Sequence, residues 1–279
     1  MPPVMFALNH IIAPRRPAEA FFALARDLGI DAVELRNDLP ETALLDGTSP
    51  QAIRTVAQNH GVRILSINAL QRFNDWNPKR ADEAKALIGS AVACGAEGVV
   101  LCPVNDASRR RTDADHRADL ERALDGLAPL LREAGVSGLV EPLGFAECSL
   151  RLKAVAAEAI LAMADAGTFR LVHDTFHHFV SGEAAFFPDM TGLVHISGVA
   201  DASASAGTMR DPHRVLVDAT DRIGNFDQIR TLLAGGYRGA FSFEPFSPTV
   251  TALPEIESAI RRSMQAIRTA LMIHGDAER

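Results

Sequence analysis

Ala134-Gly135-Val136-Ser137-Gly138-Leu139-Val140-Glu141 carries three signals in succession: a helix end, a glycine at a turn, and a short apolar run finishing on an acid. Glycine tolerates the left-handed conformation that closes a helix C-terminus, so Gly135 reads as the loop between a helix and a strand. Ser137 to Glu141 then reads as a buried strand. The same unit recurs upstream, where Leu28-Gly29-Ile30, His60-Gly61-Val62 and Cys94-Gly95-Ala96 precede the apolar runs Ala32 to Arg36, Arg63 to Ile67 and Gly98 to Cys102. Val4 to Leu8 comes before these, and Arg170 to Asp174, Gly192 to Ile196 and Ala240 to Glu244 come after. Between the runs lie Ala/Leu/Glu/Arg-rich stretches with helical spacing. Strands alternating with helices predict an α/β fold with a parallel sheet. Eight such units close a barrel, so the expectation is one (β/α)8 TIM-barrel domain spanning residues 1–279.

Length and composition agree with that reading. A chain of 279 residues suits a single α/β barrel, and 47% hydrophobic with 23% charged residues permits a sizeable core. The net charge of −7 speaks against nucleic acid or an anionic membrane as partner. Cys94, Cys102 and Cys148 are odd in number, far apart and without a CxxC, which suits a reducing compartment rather than a disulfide framework or a thiolate zinc site. No apolar run approaches the roughly 18 residues of a membrane span, and the N-terminus lacks a signal-peptide pattern. The expectation is a soluble cytoplasmic protein, with assembly into homo-oligomers left open. Neither GxGxxG nor a Walker motif is present, which argues against a dinucleotide or P-loop enzyme.

Four of the later strand candidates finish on side chains that bind metals or protons: Glu141, Asp174, His195 and Glu244. In a barrel the C-terminal strand ends face one mouth, so these four groups can converge. Any one acid could simply cap the next helix or pair with an arginine. Three carboxylates together would repel one another without a cation. Three carboxylates with one imidazole form an oxygen-rich set suited to Mn²⁺, Mg²⁺ or Co²⁺ with positions open to substrate. An ion there polarises a carbonyl and the hydroxyl beside it, which suggests proton transfer next to a carbonyl.

The remaining polar residues divide by position. His177 and His178 follow Asp174, and His177 is the one expected to return to the site. His173 alternates with Asp174 and should face the helix layer. His10 lines the mouth or holds a turn, whereas His60, His116 and His274 are expected in solvent. The polar interval from Val199 to Arg222 is long enough to be functional, which places Arg214 beside the mouth, with Arg210 and Arg222 as surface charges. Arg109-Arg110-Arg111 reads as a solvated face before a helix starting near Asp113. Phe73 and Trp76, with Asn68, Asn74 and Asn77 around them, suit the faces of a sugar-like ring; core packing under a loop is the alternative.

These residues together resemble the xylose isomerase-like TIM barrels of the sugar isomerase and epimerase superfamily, and among them the inosose (2-keto-myo-inositol) isomerases. The matching stretches are Glu34-Leu35-Arg36 with Leu39-Pro40-Glu41, Asn68-Ala69-Leu70 with Phe73-Asn74, and Glu141-Pro142-Leu143-Gly144 with Cys148. They continue in Asp174-Thr175-Phe176-His177, His195-Ile196, Asp211 to Val215, and Glu244. The resemblance implies that Glu141, Asp174, His195 and Glu244 bind one divalent ion, Mn²⁺ with Mg²⁺, Co²⁺ or Zn²⁺ as alternatives. It also implies that Glu141 and Glu244 act as acid and base across the substrate, with His177 and Arg214 on substrate hydroxyls. Related ketose epimerases carry a second Glu six residues after the first metal Glu, and Glu147 has that offset here. The implied substrate is a small cyclitol or ketose, and the implied reaction moves its keto group through an enediolate. Alternatives are a ketose 3-epimerase, an inosose dehydratase and, remotely, a three-zinc DNA-repair endonuclease, to which Asp211 and His213 alone would contribute.

Overall fold

A computed structural model describes residues 4–40, 42, 44–108 and 111–273. Eight parallel strands pair in chain order, and the last returns to the first to close a barrel. They are β1 (Phe6–Asn9), β2 (Ala32–Arg36), β3 (Arg63–Gln71), β4 (Ala96–Cys102), β5 (Ser137–Val140), β6 (Phe169–Asp174), β7 (Thr191–Ile196) and β8 (Phe241–Phe243). The helices are α1 (Ala18–Asp27), α2 (Pro50–His60), α3 (Pro78–Cys94), α4 (Asp113–Ala134), α5 (Lys153–Leu161), α6 (Thr175–Ser181), α7 (Asn225–Ala234), α8 (Pro248–Thr251) and α9 (Ile256–Ile273). The eight-stranded barrel expected from the sequence is therefore the observed fold. Its largest boundary difference is β3, which runs on to Gln71 because a register shift between Asn68 and Leu70 lets pairing with β4 continue. Asn68 thus sits within a strand.

The glycine punctuation has the predicted physical basis. Gly135 ends α4 at φ 66°, and its N–H bonds back to the carbonyls of Leu131 and Arg132. Thr112 opens the same helix with a reciprocal capping box to Asp115, fixing its start at Asp113.

Strand alternation sorts the core into two parts. Val33, Leu35, Val99, Leu101, Val140, Leu171, Val194, Phe241 and Phe243 join the large cluster beneath the helices. Inside the barrel, Ala7, Ala32, Leu65 and Ala240 meet near Leu139, Val172 and Leu193. One inward position further along the strands, the residues change character: Asn9 follows Ala7, Glu34 follows Ala32, Glu141 follows Leu139, Asp174 follows Val172 and His195 follows Leu193. An apolar plug therefore floors a polar layer at the C-terminal mouth, the usual place for a barrel's chemistry.

The long segment after β7 is built, not loose. Gly198 bridges to Val215, and Val199, Ala204, Met209 and Ile223 pack with Phe145 and Phe176. A 3-10 turn, Asp211–His213, leads directly into Arg214. Among the described residues no helix is long and apolar enough to cross a membrane.

Candidate metal centre

Glu141, Asp174, His195 and Glu244 are buried, and one donor atom from each lies within 4.8 Å of the others. Two ligand atoms bonded to one ion at about 2.0–2.4 Å stand at most about 4.8 Å apart, so the spacing fits a single divalent cation. His195 Nδ1 lies 2.8 Å from Glu141 Oε1, 3.3 Å from Glu244 Oε2 and 3.9 Å from Asp174 Oδ2. Asp174 also caps α6, its Oδ1 accepting the His177 N–H at 2.8 Å. That bond fixes the carboxylate at the strand end.

Two guanidiniums grip this centre. Arg214 donates from Nη2 to Asp174 Oδ2 at 2.5 Å and to Glu244 Oε2 at 2.8 Å, and Nε holds Ser197 Oγ at 3.0 Å. Arg36 donates from Nη1 to Glu244 Oε1 at 3.0 Å while Asp38 clamps its other edge at 2.8 and 2.6 Å. The Phe246 ring lies between them, 5.1 Å from the Arg36 guanidinium and 4.6 Å from that of Arg214. Glu34 adds a fourth buried carboxylate, 3.1 Å from His195 Nε2. Four buried carboxylates against Arg36 and Arg214 leave a net negative charge when His195 is neutral, and the partly exposed Asp38 on Arg36 adds to it, an excess that a divalent cation would offset.

Protonation follows from that excess. Burial lifts the Glu244 carboxyl to about 7 against the pull of His195 and Arg214, with Glu141 pushing the same way. His195 is desolvated, yet Glu244, Glu34 and Glu141 outweigh this and raise it well above the ordinary imidazole range. Asp174 is also buried, but Arg214, His177 and His195 hold it far below the usual carboxylate range.

The centre floors a cavity of about 310 Å³ whose wall includes Arg36, Asn68, Arg72, Cys102, Asn105, Glu141, His177, Arg214, Glu244 and Phe246. Asn68 donates to Glu244 Oε1 at 3.3 Å. His177 Nδ1 accepts the Gly144 N–H at 3.3 Å, and burial lowers its proton affinity, leaving a neutral ring with Nε2–H as donor. Arg214, expected beside the mouth, is buried within the centre rather than paired only at the surface.

The other candidate residues lie outside the centre, some as expected and some not. Trp76 does not line the cavity; it lies on α4 at Gly126, where a Cβ would overlap the indole. It is the core-packing alternative that the fold uses. Glu147 also lies outside the wall and faces Arg210 at 3.9 Å. His60 pairs with Glu19 at 2.7 Å instead of standing free in solvent. His10 holds a turn, its Nε2 donating to the Arg16 carbonyl at 2.8 Å, and stacks on Phe21. His173 bonds Gln228 of α7 in the helix layer, and His178 meets Lys153 Nζ at 2.7 Å. His213 folds back onto Arg210, and Asp211 approaches Arg214 at 3.5 Å, so neither joins the cluster. Arg222 stitches its loop through the Asp201 and Ala204 carbonyls. Glu41, Arg109, Arg110 and His274 lie outside the described residues.

Glu34, Arg36 and Asn9 were given no part in the chemistry by the sequence reading. Asn9 Nδ2 links Glu34 Oε1 at 3.4 Å to Glu244 Oε1 at 3.1 Å. The available signal was the i, i+2 spacing of Glu34 and Arg36, two charges on the inward side of a strand that is otherwise apolar.

The model of the family described as xylose isomerase-like TIM barrel matches residues 22–270. No curated protein matches the sequence. Among solved structures, a xylose isomerase domain-containing protein from Salmonella typhimurium is 32% identical, with a TM-score of 0.84, covering 96% of this chain and 97% of that one. The IolI protein, solved with a bound zinc atom, is 22% identical, with a TM-score of 0.83 and coverage of 96% and 98%. D-psicose 3-epimerase from Clostridium cellulolyticum, solved with D-tagatose, is 14% identical, with a TM-score of 0.73 and coverage of 96% and 99%. At the last two identities the likeness is one of fold.

Proposed function

The chain belongs to the xylose isomerase-like TIM barrel family, and from that premise we propose that it is a metal-dependent isomerase that moves a keto group along a cyclitol or sugar. Inosose is the leading substrate. The observation that carries this reading is the convergence of Glu141, Asp174, His195 and Glu244 on one point, with Glu141 and Glu244 both lining the cavity and both facing Nδ1 of the imidazole. A divalent ion held by the four, Mn²⁺ or in its place Mg²⁺, Co²⁺ or Zn²⁺, supplies polarisation of a carbonyl and its neighbouring hydroxyl.

The chain's own groups do the rest. Glu244, lifted toward neutrality, takes the proton from the carbon beside the carbonyl, and the substrate passes through an enediolate. Glu141, placed across the substrate in this reading, relays the proton of the neighbouring hydroxyl to the former carbonyl carbon, and Glu244 gives the proton it took to the former carbonyl oxygen. His177 and Arg214 donate to substrate hydroxyls from the wall. Every guanidinium in that wall is already matched by acids: Arg36 by Asp38 and Glu244, Arg214 by Asp174 and Glu244, and Arg72 by Asp106 at 3.4 Å. A phosphate or carboxylate on the substrate would meet no spare cation, so a neutral polyhydroxylated ring fits best. At about 310 Å³ the cavity is at the small end of ligand pockets, the class of a single ring. Three unpaired cysteines, all buried, suit a reducing compartment.

The test is solvent exchange. Inosose incubated with Mn²⁺-loaded protein in D₂O should gain deuterium at the carbon beside the carbonyl and convert to an isomeric inosose, both followed by proton NMR. Exchange with C3 inversion of a ketose instead would assign a 3-epimerase, and water loss from inosose a dehydratase. No exchange with any of these ketones would overturn the enzymatic reading.

A further inference from the structure

Glu34 has no task in the reaction just described. It is fully buried on β2, and among the described residues its only ion-pair partner within 4 Å is His195. A carboxylate buried in this way is costly unless its charge is used. Its oxygens are held from both flanking strands: Ser66 Oγ of β3 donates to Oε2 at 2.7 Å, and Asn9 Nδ2 of β1 donates to Oε1 at 3.4 Å. Oε2 then faces His195 Nε2 at 3.1 Å.

A neutral imidazole carries one proton on one of two nitrogens. With the proton on Nδ1, the Nε2 lone pair would abut the Glu34 carboxylate. With the proton on Nε2, that repulsion becomes a charge-assisted hydrogen bond, and the Nδ1 lone pair points to where Glu141 and Glu244 converge. We infer that Glu34 is a positioning residue: it selects the Nε2–H tautomer of His195 and aims Nδ1 at the cation. The inference rests on the metal-centre reading above. A carboxylate behind a ligating imidazole also makes the ring a stronger donor, and losing such a partner typically weakens metal binding about 10- to 100-fold.

The test compares metal-stripped wild-type protein with Glu34→Gln and Glu34→Ala. Each is titrated with Zn²⁺ against a chromophoric chelator, and long-range ¹⁵N spectra of the zinc-loaded wild type read the His195 tautomer. The expected results are an Nε2–H, Nδ1-ligated ring, a roughly tenfold loss of affinity in Glu34→Gln, and a loss nearer 100-fold in Glu34→Ala. The amide keeps an acceptor for Nε2–H but not the charge, and it is close to isosteric, so it carries the comparison if the alanine variant does not fold. A purely structural role would lower the metal-free unfolding temperature and leave zinc affinity in place. Affinities within threefold of wild type in every folded variant, or an Nδ1–H tautomer, would overturn the inference alone. Failure of wild type to bind Zn²⁺ would overturn the metal-centre reading and this inference with it.

Discussion

Replacing Arg214 with Met separates the protein's own positive charge from that of the ion. The guanidinium is buried and holds Asp174 Oδ2 at 2.5 Å and Glu244 Oε2 at 2.8 Å, and it stacks on Phe176 and Phe246. Methionine keeps the length and the aromatic contacts and removes both charge-assisted bonds. Breaking a buried ion pair from one side costs about 3–5 kcal/mol, because the remaining charge is left uncompensated. For a chain of this size each kcal/mol shifts Tm by about 2–4 °C, so the metal-free variant should melt about 6–20 °C below wild type. The effect should grow as pH rises from 6 to 8, because Glu244, at about 7 with Arg214 in place, moves higher once the guanidinium is gone, and at low pH a proton on Glu244 replaces part of the lost charge. Saturating Zn²⁺ restores positive charge to the same carboxylates and should close at least half of the gap. The assay is thermal unfolding by circular dichroism in EDTA and in excess zinc. A metal-free shift below 2 °C, or an equal shift with and without zinc, would show that Arg214 and the ion do not act on the same negative charge.

Other expectations follow from the same geometry. Glu244→Gln should bind Zn²⁺ within about tenfold of wild type, since the amide oxygen still ligates, yet lose about 10²-fold or more in turnover for want of a base; near-normal solvent exchange of the substrate proton would place the base elsewhere. Metal affinity should rise as pH rises, because His195 and Glu244 hold raised proton affinities in the metal-free centre and both must release protons to bind. The logarithm of the affinity should climb with a slope near two below pH 7 and near one just above it, and a flat chelator-competition profile would contradict this. Gly126→Ala should lower Tm through overpacking against Trp76, at a cost of about 1–3 kcal/mol, with zinc affinity and turnover unchanged. Altered substrate KM in that variant would return Trp76 to the cavity.

What the sequence made legible, and what it hid, has a common cause. Strand ends announce themselves when an apolar run stops on an acid, and Glu141, Asp174 and Glu244 do so; the barrel follows from the eight apolar runs, of which these are three. Glu34 was hidden by its position inside a strand, where Val33 and Leu35 on the outward side dominate the pattern, although alternation with Ala32 and Arg36 marks the inward side. Arg214 was ambiguous for a different reason. Its burial depends on a loop that returns through the Gly198 to Val215 bridge to set a surface-like sequence over the mouth, a tertiary contact that no local spacing encodes. Trp76 misled because an aromatic beside asparagines suits a sugar, while the slot that receives it is made by Gly126, a glycine of α4.

One measurement bears most directly on the metal centre. Crystals of the zinc-soaked protein, with data collected on either side of the zinc absorption edge, should show one anomalous peak per chain, bounded by Glu141, Asp174, His195 and Glu244 with His195 bonded through Nδ1. No peak there, or a three-ion cluster extending to Asp211 and His213, would contradict it.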